Sequence, residues 1–182
     1  MKSFVGVIAA LALIGGPAAA AISVLGGGEA QDCFLAAKAG KADNASLALC
    51  SLALDTGVLE PRDRGGTLIN RGVMKLLRNE YDSARADLDA GIALIPDVGE
   101  AWVNRGAMFL GKRRYQEALT DIDKALALGV KEPAKAYYNR AIAYEGLDDE
   151  KSAYLDYQQA LVFQPGWELP QHELLRFSVT RR

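Results

Sequence analysis

The sequence predicts an all-α chain, a helix-turn-helix solenoid of about four units closed by a C-terminal helix. Three observations carry that expectation. The pair Asn-Arg returns at Asn70-Arg71, Asn104-Arg105 and Asn139-Arg140, at intervals of 34 and 35 residues. Other columns keep the same step: Ala84, Ala118 and Ala153; Asp87, Asp121 and Asp156; Gly91, Ala125 and Ala160. A period of that length is one helical pair that buries its apolar face only against its neighbours. Breakers fall between copies, at Ile95-Pro96-Asp97, Gly129 to Pro133, and Gln164-Pro165-Gly166.

From the N-terminus, MKSFVGVIAALALIGGPAAAA joins one basic residue to an apolar run, a Gly-Gly-Pro breaker and small residues. That order predicts a secretory signal peptide over 1–21, with cleavage near Ala20 or Ala21. The run from Phe4 to Ile14 falls short of the roughly 20 residues that span a bilayer, although extension through the alanines to Leu25 would permit an uncleaved membrane anchor. No cysteine stands at the junction, so a lipid anchor is not supported. Residues 22–28 read as a flexible lead-in. Gly26-Gly27-Gly28 lacks the lysine and hydroxyl of a phosphate loop.

Residues 29–56 form a degenerate first unit holding Cys33 and Cys50, the two cysteines of the chain. In an exported, oxidising setting they are expected to form a disulfide; zinc would need two more ligands, and the sole histidine, His172, is distant. Three clear units follow, at 65–98, 99–133 and 134–167. In the middle copy Trp102, Gly106 and Phe109 share one helix face, Gly111 to Tyr115 turns the chain, and Ala118, Leu119, Ile122, Ala125 and Leu126 form a second apolar stripe. Small residues at Gly106 and Ala118 let the two helices close. Residues 168–182 supply a capping helix and tail, through Trp167, Leu174, Leu175 and Phe177 as far as Val179, with Arg181 and Arg182 frayed.

Trp102, Arg105, Gly106 and Phe109, followed by Ala118, Ala125 and the prolines between copies, resemble the tetratricopeptide repeat in the variant whose first helix reads NRG. The resemblance covers residues 65 to about 167 and implies a right-handed solenoid whose first helices line a concave groove. The family usually has leucine where Arg71, Arg105 and Arg140 stand.

An arginine on the inner side of a helical pair needs a carboxylate, because a buried charge left unpaired costs about 3–5 kcal/mol. Asp87, Asp121 and Asp156 each follow the arginine by 16 residues, on the second helix. The expected ion pairs are therefore Arg71–Asp87, Arg105–Asp121 and Arg140–Asp156. In the first unit, Cys33 falls in the arginine column and Leu49 in the aspartate column, so both charges vanish where the cysteines enter; a covalent clip there would replace the ionic one.

No nucleophile–base set emerges, and no catalytic residue, metal site or cofactor is assigned. Three equivalent Arg–Asp copies argue for structure, since an active site is assembled once. A net charge of −2, or −3 after loss of Lys2, excludes a dominant role in binding nucleic acid. The resemblance implies a partner-binding groove around Asn70, Asn104 and Asn139, with Ile69, Val73, Val103, Ala107, Lys135, Tyr138 and Ile142 beside them. A side-chain amide pairs with both donors and acceptors of an extended peptide. Lys135 is the one cation placed to meet an acidic tail. The expected protein is a non-enzymatic interaction module, exported to an extracytoplasmic space such as the periplasm, that binds a protein or peptide; a subunit that assembles through the solenoid ends is the alternative.

Overall fold

The computed structural model describes residues 20–24 and 28–177; most of the expected signal segment and the last five residues lie outside them. Nine α-helices follow in order among the described residues: α1 Glu29–Lys38, α2 Asn44–Thr56, α3 Pro61–Leu77, α4 Tyr81–Leu94, α5 Gly99–Gly111, α6 Tyr115–Leu128, α7 Pro133–Gly146, α8 Glu150–Phe163 and α9 Glu168–Leu174. They pack pairwise as four helix-turn-helix units, with α9 against α8. The second unit begins at Pro61, four residues before the expected boundary, because proline is well suited to the first helical turn, where its missing N–H has no partner to lose.

Each unit turns the same way. Glu80, Arg114 and Asp149 donate their amides to the carbonyls of Lys75, Phe109 and Tyr144, and Lys41 donates to Ala36. These closures put Gly40, Asn79, Arg113 and Asp148 in the left-handed region, at φ of 67°, 60°, 56° and 61°. This is the Schellman ending of a helix, and asparagine, aspartate and glycine are the residues that tolerate it best. Asp43 and Asp149 then accept the amides of Ser46 and Ser152 to start α2 and α8.

One continuous apolar core runs through the second, third and fourth units, from Ile69, Leu88 and Ile92 to Ile122, Ala136 and Ala143. Glycine and alanine set its thickness. A Cβ on Gly106 would lie 2.7 Å from Ile122 Cγ1, and one on Gly72 would lie 2.9 Å from Leu88 Cγ. The odd-numbered helices also touch one another, α1 with α3, α3 with α5 and α5 with α7. They form one layer, which the asparagine column occupies.

Two expectations are corrected by the structure. Ile22 and Val24 are packed rather than part of a flexible lead-in: Val24 is buried with Ala30 and Ala53, and Ile22 lies against the main core. Val24 is buried and Ile22 partly so, and these apolar contacts hold the segment against the helices. The C-terminal helix ends at Leu174 instead of running to Val179, and Phe177 packs back against Tyr157. No described helix is long and apolar enough to cross a membrane.

Candidate functional site

The arginine column joins the two helices of each unit and reaches back to the unit before it. Arg71 Nε and Nη2 donate to Asp87 at 2.8 Å each; Arg105 makes the same fork on Asp121 at 2.7 and 2.8 Å, and Arg140 on Asp156 at 2.6 and 2.9 Å. The planar guanidinium matches a carboxylate at two points, which fixes orientation as well as distance. The remaining nitrogen, Nη1, reaches back to the preceding unit: Arg71 to Ser51 Oγ, Arg105 to Asp89 and Arg140 to Asp123. Asp89 and Asp123 recur 34 residues apart, two places after the aspartate column, and that column was the available signal for a bond between units. Hydrogen bonding to the aspartates pushes the guanidinium pKa of all three arginines up, so their charge is permanent.

In the first unit Cys33 and Cys50 form a disulfide with Cα atoms 4.8 Å apart. The bridge joins α1 to α2, as each Arg–Asp fork joins the two helices of its own unit. Met74 of α3 packs on it. A disulfide is at home in an oxidising compartment.

Asn70, Asn104 and Asn139 are all buried, in α3, α5 and α7. Against them runs an extended piece of the chain itself. Asn70 Oδ1 accepts the Ile22 amide at 2.8 Å, and its Nδ2 donates to the Ile22 carbonyl at 2.9 Å. Asn104 Nδ2 donates to the Ala20 carbonyl at 3.2 Å. Two residues of strand thus advance one unit. Gly66 makes room for it: a Cβ there would stand 3.3 Å from both Ile22 Cγ2 and Val24 Cγ1. Asn104 Oδ1 and Asn139 Nδ2 are buried with no hydrogen-bond partner among the described residues. Such groups cost about 1–3 kcal/mol each when left unmet.

The other residues expected beside the groove divide. Val73 and Val103 are buried in the main core, Ala107 is buried near them, and Lys135 is half-buried with its amine 3.1 Å from Glu132. Ile69 faces the partner helix of its own unit, where a Cβ on Gly91 would approach its Cδ1 to 2.6 Å. It is a core residue, because the position before the asparagine is rotated toward α4. Tyr138 and Ile142 lie under the C-terminal segment: Tyr138 is 4.9 Å from the Trp167 ring and 5.6 Å from that of Tyr157, and Ile142 joins Leu174 and Phe177. Burial and the nearby carboxylates of Glu173 and Glu145 push the Tyr138 hydroxyl up to about 12. Tyr157, fully buried beneath it, donates to Glu145 at 2.6 Å, and burial raises its pKa further.

These features define a helical-repeat scaffold: stacked pairs, clasped along one column, with a ladder of buried amides on the inner layer. Comparison with known proteins places it more closely. Residues 134–165 match the tetratricopeptide repeat. It is similar in structure to the Arabidopsis OM64 tetratricopeptide-repeat domain, with a TM-score of 0.61 and 26% identity, over 64% of this chain and 96% of that one. It is also similar to the second such domain of human RPAP3, solved in complex with the HSP70 peptide SGPTIEEVD, with a TM-score of 0.59 and 25% identity, over 64% of this chain and 97% of that one. No curated protein sequence matches the chain.

Proposed function

We propose that this protein is an exported, periplasmic interaction module that binds an extended segment of a partner protein along its inner layer and performs no chemistry of its own. The observation that carries this reading is the amide ladder. Asn70 and Asn104 already hold an extended backbone, at Ile22 and Ala20, and each side-chain amide offers both N–H donors and a carbonyl acceptor. Recognition through main-chain groups tolerates many sequences, while flanking pockets select side chains. The second tetratricopeptide-repeat domain of human RPAP3, similar in fold, was solved in complex with a peptide. The disulfide suits export, and the sequence before Ala20 has the order of a signal peptide.

The test is a selection of displayed random peptides on the immobilised protein, followed by affinity measurement. Enriched peptides should bind five- to tenfold more weakly to Asn104→Ala and to Asn139→Ala, the loss of about one hydrogen bond each. Peptides that bind both variants as tightly as the parent would remove the ladder from recognition.

A second reading rests on α8. Leu155, Val162 and Phe163 are exposed on the last full helix, which suits a subunit that assembles through the end of the solenoid. Concentration-dependent sedimentation, abolished by Val162→Glu, would support that role, and a monomer at all concentrations would count against it.

A further inference from the structure

We infer that residues 20–24 are a resident ligand: the groove is occupied by the chain's own strand, and a partner peptide enters only by displacing it. The inference rests on the peptide-binding reading above and adds to it a regulatory element and a ligand chemistry.

Four observations converge on it. The segment is bonded through its backbone, not its side chains, at both Ala20 and Ile22, which is how a peptide ligand adds to a receptor. Both bonding partners are repeat positions, so a strand held at Asn70 and Asn104 stands where the solenoid presents its recurring donors and acceptors. The contact is between residues 48 and 84 positions apart, and it joins an irregular segment to helices that are complete without it. Finally, residues 20–24 use only part of the ladder: Asn104 Oδ1 and Asn139 Nδ2 stay unmet among the described residues.

The resident also describes what can replace it. Ala20, Ala21, Ile22, Ser23 and Val24 carry no charge, and Ala21 and Ile22 pack on the first-unit cluster and the main core respectively. A competing ligand is therefore an extended, uncharged segment alternating small and β-branched residues, rather than an acidic tail. Signal removal after Ala20 or Ala21 would leave Ile22 and Val24 in place and free Asn104. Processing of the N-terminus and access to the ladder are thereby linked.

The experiment uses the full chain and two variants. Ile22→Pro removes the amide that Asn70 accepts, and Val24→Ser removes a buried apolar contact; both sites lie outside the helices. The probe is acetyl-Ala-Ala-Ile-Ser-Val-amide with a fluorescent label, read by polarisation, alongside amide exchange of Ile22. The Ile22 amide should be protected in the parent, and the probe should bind about tenfold more tightly to each variant than to the parent, as expected for loss of roughly one hydrogen bond or one apolar side chain from the competing strand. An Ile22 amide that exchanges at the free rate overturns the inference. Equal binding by parent and variants overturns it too, while leaving the groove a peptide site. No binding by either variant, once exchange shows the segment of Val24→Ser released, removes the peptide-binding reading and the inference with it.

Discussion

Replacing Asp121 by Asn is expected to cost about 2–3 kcal/mol, a figure that follows from how Arg105 is shared. Removing one partner of a fully buried ion pair costs about 3–5 kcal/mol, whereas an exposed pair is worth about 0–1 kcal/mol. The Asp121 side chain is 4% exposed and that of Arg105 19% exposed, which sets the pair near the buried end. Arg105 nevertheless keeps Asp89 at 2.8 Å and the Trp102 ring at 4.9 Å after the change, and both compensate. Asp89 is 42% exposed, so its own bond to the same guanidinium is screened. The expected coupling energies are about 1.5–2.5 kcal/mol for Arg105 with Asp121 and under about 1 kcal/mol for Arg105 with Asp89. Double-mutant cycles with Arg105→Met, Asp121→Asn and Asp89→Asn, read by urea unfolding, measure them. A coupling to Asp121 near zero, or no larger than that to Asp89, refutes the assignment of the aspartate column as the principal clasp.

Three further outcomes follow from the same structure. Substituting both Cys33 and Cys50 by Ser should lower stability by about 3 kcal/mol, the chain-entropy value for a crosslink between residues 17 apart, and reductant should reproduce the loss in the parent but not in the variant. Gly106→Val should destabilise by about 1–3 kcal/mol because its side chain meets Ile122, a loss that Ile122→Ala in the same chain should partly restore in calorimetry. Raising the pH from 10 to 12 should weaken the C-terminal cap: the unfolded Tyr138 ionises near 10 and the folded one near 12, so the stability present below pH 10 is lost across that window. Tyr138→Phe should flatten that part of the profile in alkaline unfolding followed by circular dichroism.

Much of the architecture is legible from a single sequence because a solenoid repeats its contacts. The period places Asn, Arg, Ala and Asp in columns, and a spacing of 16 residues puts each arginine opposite an aspartate across one helical hairpin. The bond to the preceding unit is less legible. Asp89 and Asp123 make a two-member column, and their first-unit equivalent is the neutral Ser51, so the pattern is short. Residues that contact something outside the repeat are harder still. Ile22 and Val24 carry no period, five residues of extended chain look like any small-residue junction, and nothing in Asn70 announces that its amide meets a residue 48 positions earlier. Ile69 shows the angular limit of such reading: one residue is a rotation of about 100° on a helix, enough to move a side chain from the groove to the core. Tyr138 and Ile142 follow the groove pattern of their unit, yet Leu174 and Phe177 of the C-terminal segment fold over them, a contact outside the repeat.

The back-reaching nitrogen of each arginine also makes the array count its own members. Each described unit that is followed by another carries an acceptor for the next arginine: Ser51, Asp89 and Asp123. In the last unit the equivalent position is Gln158, whose amide is turned to the Tyr154 hydroxyl at 3.1 Å. Gln158 offers no carboxylate at the place where Asp89 and Asp123 stand. Lengthening the array by grafting a further copy would require removal of α9, and Gln158→Asp would supply the carboxylate that the grafted arginine's Nη1 reaches back to.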